Sequence, residues 1–292
     1  MTNFPYSANK PAAVIFATLF GLAMTIHIFQ AARARAYFLA LLVLAAEMEV
    51  LGYGFRFVSI AVDPQHWPVA MSQVTLMVSP AILSAQACIV AGRMMSYIDP
   101  NSSLMPHNIV IKIFIFFHVA FLLVQGTGTS LLTSSDEPSE SRINLGRAIL
   151  AGGLSTQILA SLVFIAIIIK FESKGRRLAA GKVKDLRQLF VAFYVSETFI
   201  IGRSIYRTIE FATFNPANQG YLYYHEWPLY VFDAAPILIA LTLFNFVHPV
   251  AHLPRDTGHS VTGESRHHWW SKGQKYTAQS TLVSQDMPME RV

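Results

Sequence analysis

Charged side chains stand inside stretches of sequence that are otherwise apolar, and their spacing is regular. Glu49, Tyr53 and Arg56 follow an i, i+4, i+7 pattern, and Arg203, Arg207 and Glu210 repeat it. His225 and Glu226 precede a further apolar run, which contains Asp233 seven residues after Glu226. A helix of 3.6 residues per turn gathers each set on one face. Three arginines set against Glu49, Glu210, Glu226 and Asp233 nearly neutralise one another, which predicts an ionic network shared by three helices. A network of that kind can simply fix packing and register. It can also line a cavity for a polar head group: guanidinium forks suit phosphate or carboxylate, and carboxylates suit an amine.

Other polar residues interrupt the same runs. Glu47, His118, Gln125 and Gln157 form a secondary set, and His27, Glu197, Asn245 and His248 are scattered further along. An isolated histidine or glutamine in a membrane helix usually bonds a neighbouring helix. Glu47 joins Glu49 and Asp233 as a candidate proton carrier. A zinc-dependent intramembrane hydrolase would need several of His225, Glu226, Asp233 and His248 around one ion. His225 and His248 are 23 residues apart, roughly 34 Å along a continuous helix, and no H-E-x-x-H is present. No Walker A pattern occurs either, so nucleotide hydrolysis does not drive this protein. The reading is of a non-enzyme, with no catalytic residue, metal or cofactor.

The elements that must position these residues follow from composition. Of 292 residues, 53% are apolar and 13% charged, and the mean hydropathy is +0.42. Ordinary soluble domains carry about 25% charged residues, so this surface is built to face hydrocarbon. Stretches 11–30, 37–59, 69–92, 109–131, 148–170, 188–211 and 228–249 are each long enough for a spanning helix of roughly 20 residues. None shows strand alternation. The fold class is therefore all-α: a polytopic seven-helix transmembrane bundle over residues 1–250, followed by a flexible tail over 251–292. That tail is rich in Ser, Thr, Gln and Gly and carries a Trp269-Trp270 pair suited to a membrane interface. The single cysteine, Cys88, excludes an internal disulfide framework.

Basic residues set the expected orientation. With the amino terminus outside, 16 of the 22 lysines and arginines fall on the cytoplasmic side, which predicts N-out/C-in. The net charge of +5 is then a matter of topology, and no nucleic-acid partner is expected. The sequon Asn101-Ser102-Ser103 lies in a loop that this topology keeps inside and unglycosylated. Arg33 and Arg35 follow the first apolar run instead of preceding it, which marks an uncleaved first helix. Pro80 and Pro236 are expected to kink their helices, and the pairs Gly126/Gly128 and Gly146/Gly153 to allow close packing.

A set of ordered motifs runs through these helices. Glu49-x-x-Gly52-Tyr53-x-x-Arg56 lies in the second and Gly92-Arg93 closes the third. Gln125-Gly126 and Gly153-Leu154-x-x-Gln157 follow in the fourth and fifth. Arg203-x-x-Tyr206-Arg207-x-x-Glu210 comes next, then Glu226, Tyr230, Asp233 and His248-Pro249. In this order the chain resembles the fungal lipid-translocating exporters, seven-helix proteins associated with resistance to aminocholesterol and to sphingoid long-chain bases. It departs from them at His118, where an aspartate is expected, at Cys88, where an aromatic residue is usual, and at Phe214, where a glycine is common. The resemblance implies a protein of the plasma or vacuolar membrane that handles a membrane lipid, a sphingoid base or another amphipath, in lipid or drug stress. Glu49, Tyr53, Arg56, Arg203, Arg207, Glu210, Glu226 and Asp233 would form the substrate site. The alternative is a seven-helix lipid sensor or regulator without transport.

Overall fold

The computed structural model describes residues 9–61, 66–99, 107–133, 139–213 and 221–253. The sequon at Asn101, Phe214 and the tail from residue 254, including Trp269-Trp270, lie outside the described residues. Seven helices are long and apolar enough to cross a membrane, and no strand occurs among the described residues. Helix α1 spans Lys10–Ala34, α2 Ala40–Ala61, α3 His66–Ile98, α4 His107–Thr133 and α5 Glu140–Leu178. The short α6 spans Ala180–Asp185 and leads into α7, Arg187–Thr213. The last crossing is composite. After the one-turn α8 (Tyr221–Tyr224) comes a π-helical segment, Leu229–Ala234, then α9 (Ala235–Phe246) and α10 (Pro249–His252). The observed helices overrun the predicted stretches at nearly every end, most of all α5, because hydropathy marks the apolar span and not the polar turns that continue beyond it.

The helix ends have local causes. Asn9 caps α1, its side-chain oxygen accepting from the Ala12 N–H at 3.1 Å, and Pro11 fits the first turn, where no N–H is needed. At the other end Arg35 takes a left-handed conformation (φ 52°), and its N–H bonds back to Ala32. This reverses the chain into the 3-10 turn Tyr37–Leu39 and on into α2. Ser139 caps α5, while single residues, Ala179 and Leu186, join α5 to α6 and α6 to α7. Helix α3 runs on through Pro80 without a break.

Neighbours in sequence pack side by side from α1 to α5, α5 packs on α7, α7 on α9, and α9 returns to α1. Helix α3 is the hub, since it also touches α5 and α7. Of its most apolar stretch 78% is buried, against 22% for α1. Where α4 crosses α5 the backbones approach closely. A Cβ on Gly128 would lie 3.2 Å from the Gly146 carbonyl, and one on Gly146 would lie 3.1 Å from that of Gly128. Gly126, by contrast, faces open space. Large apolar side chains stay exposed all around the bundle, among them Phe29, Phe116, Leu123, Leu159 and Phe246. Water does not tolerate so much exposed apolar surface, and hydrocarbon does. The protein is an integral membrane protein.

Candidate functional site

The charged residues of α2, α7 and the last crossing meet at the end of the bundle where α1 begins. Asp233, inside the π-helical segment, is the centre. Arg207 grips it with two parallel hydrogen bonds, Nε to Oδ1 at 2.8 Å and Nη2 to Oδ2 at 2.7 Å. Arg203 approaches the same carboxylate, Nε lying 2.7 Å from Oδ1, in an ion pair too bent to count as a hydrogen bond. Its Nη2 donates to the Leu76 carbonyl of α3 at 2.7 Å. Arg207 also donates through Nη1 to Glu210 at 2.9 Å and reaches Gln73 at 3.5 Å. Both arginines and Asp233 are 1–2% exposed. Burying charges at this depth is tolerable only because each has an opposite charge in contact.

A second cluster sits beside the first. Arg56 donates from Nη2 to Glu226 at 2.7 Å and from Nε to the Tyr230 hydroxyl at 3.4 Å, and that hydroxyl donates to Glu226 at 2.9 Å. The other oxygen of Glu226 accepts the backbone N–H of Asn9 at 2.7 Å, which ties the start of α1 to the last crossing. Phe16 stacks on Tyr230 at 5.1 Å, Phe20 on Tyr53 at 5.8 Å, and Tyr53 on Tyr230 at 6.1 Å. The clusters are joined through the last crossing, because Asp233 lies in it and Glu226 stands three residues before its π-helical segment. A π-helix is a rare departure from regular winding and is frequent at functional positions.

The predicted set is largely brought together. Arg56, Arg203, Arg207, Glu210, Glu226 and Asp233 form the network through direct pairs. Glu49 is buried beside it, against Ser79, yet forms no ion pair among the described residues. Tyr53 contributes its ring, while its hydroxyl has no hydrogen-bond partner among the described residues. Glu47 does not belong: it is on the exposed face of α2. Two residues along a helix are about 200° around it, so Glu47 and Glu49 cannot both point inward. Gln125 and Gln157 bond each other at 2.6 Å, linking α4 to α5, and His118 bonds the Phe114 carbonyl one turn back in its own helix. His27 bonds the Leu241 carbonyl across the α1–α9 contact. Glu197 is buried in α7 with Oε1 unpartnered and no ion pair among the described residues.

No group of three or more histidine, cysteine, aspartate or glutamate side chains that could hold a metal occurs among the described residues. His225 in particular is engaged with the Tyr221 carbonyl at 2.9 Å. Four contributors are absent from the predicted set: Tyr230, Gln73, the Leu76 carbonyl and the Asn9 amide. Tyr230 alone had a local signal, being one helical turn after Glu226.

Of the charged members, only Glu226 and Glu210 reach the edge of the network. The side chains of Glu226 and Glu210 are 10% and 18% exposed, whereas those of Arg56, Arg203 and Arg207 are 1–2% exposed. Trp227, next to Glu226, is exposed, as is Tyr221, whose hydroxyl accepts from the Trp227 indole at 3.3 Å. Exposed tryptophan and tyrosine are typical of the height at which lipid head groups lie.

Comparison with known proteins follows the same lines. The family model described as RTA1-like protein matches residues 42–256. The probable lipid transporter atnI of Emericella nidulans is 28% identical, over 84% of this chain and 66% of its own length. A lipid-translocating exporter-like protein RTA1 of Leptosphaeria maculans is 26% identical, over 87% and 52% respectively. Protein RTA1 of Saccharomyces cerevisiae is 27% identical, over 74% and 67%. The chain thus spans about half to two thirds of the length of these relatives. No solved structure matches it.

Proposed function

Because the chain belongs to the RTA1-like protein family, we propose that it moves an amphipathic lipid with an amine head group, a sphingoid base or a similar amphipath, between leaflets or out of a fungal membrane. The observation that carries this reading is the acidic edge of the network. A head group arriving from the lipid interface meets Glu226 and Glu210 first, while the guanidinium groups behind them are buried. An ammonium group pairs with a carboxylate, which both of these glutamates offer at the edge. A phosphate arriving by the same path meets like charge.

Binding then competes with internal pairs. An amine that takes Glu226 loosens its hold on Arg56 and on the Asn9 amide, and one that takes Glu210 frees one edge of Arg207. The network is thereby a set of exchangeable partners between α1, α2, α7 and the last crossing, and head-group capture is coupled to how these helices hold each other. In the cell the activity would serve tolerance of lipid or drug stress at the plasma or vacuolar membrane.

The test is a leaflet assay in proteoliposomes, following a fluorescent sphingoid base by quenching from one side. Movement above that of protein-free vesicles is expected. It should fall at least tenfold in Glu226→Gln, Glu210→Gln and Arg207→Gln protein that still elutes as folded material. A fluorescent phosphatidic acid should move no faster than in protein-free vesicles. Sphingoid-base movement that is unaffected in all three folded variants would overturn the reading. Saturable binding with no movement would favour a lipid sensor instead.

A further inference from the structure

At the opposite end of the bundle two cavities share one arginine. The first, about 370 Å³, is a groove between the start of α7 and the end of the last crossing, lined by Val191, Ala192, Val195, Leu243 and Val247. Arg187 and Gln188 stand at its mouth. Val191 is exposed along it, so the groove opens sideways to the surroundings of the bundle, which are hydrocarbon. From Arg187 to Val195 it runs about 12 Å along α7, at 1.5 Å per residue. The second cavity, about 290 Å³, lies where α5, α6 and α7 join and is walled by Arg176, Lys184, Arg187 and Glu172. Arg187 borders both.

The charges of the second cavity do not cancel. Glu172 is taken: Arg176 donates to its Oε1 at 2.6 Å and the Tyr194 hydroxyl to its Oε2 at 2.8 Å. Lys184 and Arg187 are exposed and form no ion pair among the described residues. An apolar slot and a pocket with two positive charges, unpaired among the described residues, thus meet at Arg187. A free anion would use only the pocket and leave the groove without a role. A zwitterionic lipid would fill the groove and leave the charges unmatched.

We propose that this is a binding site for an anionic phospholipid with a phosphomonoester head group, distinct from the ionic network and about 24 Å from it along α7. One acyl chain lies in the groove, and the phosphate lies against Arg187 and Lys184. A phosphomonoester carries about −1.5 to −2 at neutral pH, which matches the two cations left unpaired among the described residues, whereas a phosphodiester carries about −1. Arginine offers a planar fork to two phosphate oxygens and lysine a mobile point charge. Basic pockets at helix ends are where such head groups are held in membrane proteins. The ligand is a resident of the bilayer leaflet at this end, and the site does not depend on the lipid-moving activity.

Native mass spectrometry of the full-length protein in detergent tests this with three probes: dioleoyl phosphatidic acid, dioleoyl phosphatidylcholine and inorganic phosphate. Phosphatidic acid should be retained at least tenfold better than phosphatidylcholine at equal concentration. Inorganic phosphate in hundredfold excess should fail to displace it. The double variant Lys184→Gln/Arg187→Gln should lower its retention at least fivefold, and Val191→Trp, which fills the groove from an exposed position, should do likewise. Each variant is compared at matched melting temperature, with Lys184→Arg/Arg187→Lys as the charge-preserving control that keeps binding. Equal retention of the two lipids, retention unchanged in the folded variants, or displacement by phosphate alone would each overturn the proposal.

Discussion

Where α1 begins, Arg203 and Arg207 are almost fully buried and share Asp233 at 2.7–2.8 Å. Where α5 gives way to α7, Lys184 and Arg187 are exposed, with no opposing charge in contact among the described residues. The same residue types therefore work under opposite constraints. A buried guanidinium must be matched by the protein itself, so a ligand can enter that network only by exchange. An exposed one at the membrane interface is matched by whatever the bilayer provides, so a ligand there is gained by addition. The first arrangement favours passage, since every contact made breaks another. The second favours residence.

Mutations separate the two ends by how much folding suffers. The largest loss is expected for Asp233→Asn, which leaves two buried guanidinium groups facing a neutral amide. Breaking a buried pair costs about 3–5 kcal/mol, and thermal denaturation in detergent should show little folded protein. Pairing is separated from positioning by the quadruple variant Arg203→Met/Arg207→Met/Asp233→Leu/Glu210→Gln. Replacing a whole ionic set by apolar side chains is often neutral, so this protein should melt above Asp233→Asn while moving no lipid. A melting temperature below that of the single variant would mean that the charges position backbone and not only each other.

An intermediate effect is expected for Glu226→Gln. It weakens charge-assisted bonds worth about 1.5–3 kcal/mol but keeps an acceptor for the Asn9 amide, so the variant should fold, melt lower and lose sphingoid-base movement. The smallest effect belongs to Lys184→Gln/Arg187→Gln: an unchanged melting temperature in lipid-free detergent, with a loss of stabilisation by added phosphatidic acid. A large drop without lipid would place these cations among the internal pairs.

The bundle itself was legible because seven apolar runs of sufficient length have no soluble alternative. The network was half legible. Helical spacing assembles Arg203, Arg207 and Glu210 on one face of α7, and the same argument puts Glu226 and Asp233 together. Pairing was not legible: that Asp233 serves two arginines while Glu49 forms no ion pair among the described residues depends on the register between helices, which no single helix encodes. The π-helical winding over Leu229–Ala234 escaped too, since its residues are ordinary helix formers. Glu47 was misplaced with Glu49 because both are acidic, although their separation on the helix sends them to opposite sides. In the sequence, Lys184 and Arg187 mark orientation and a basic loop over 170–187 that suits a sensor, and nothing local places a groove beside them. Their place beside a groove arises from α9, some 55 residues later, packing on α7.

The aspartate shared by Arg203 and Arg207 belongs to the final crossing, so it leaves the ribosome after both arginines have entered the membrane. Until that segment inserts, Arg203 lacks its ion pair and Arg207 its two-pronged one, and a stalled or truncated chain exposes both to its cellular surroundings. Chain completion is thus the event that gives both guanidinium groups their shared carboxylate. Copies ending before Asp233 should be short-lived, and those ending after the last crossing should persist.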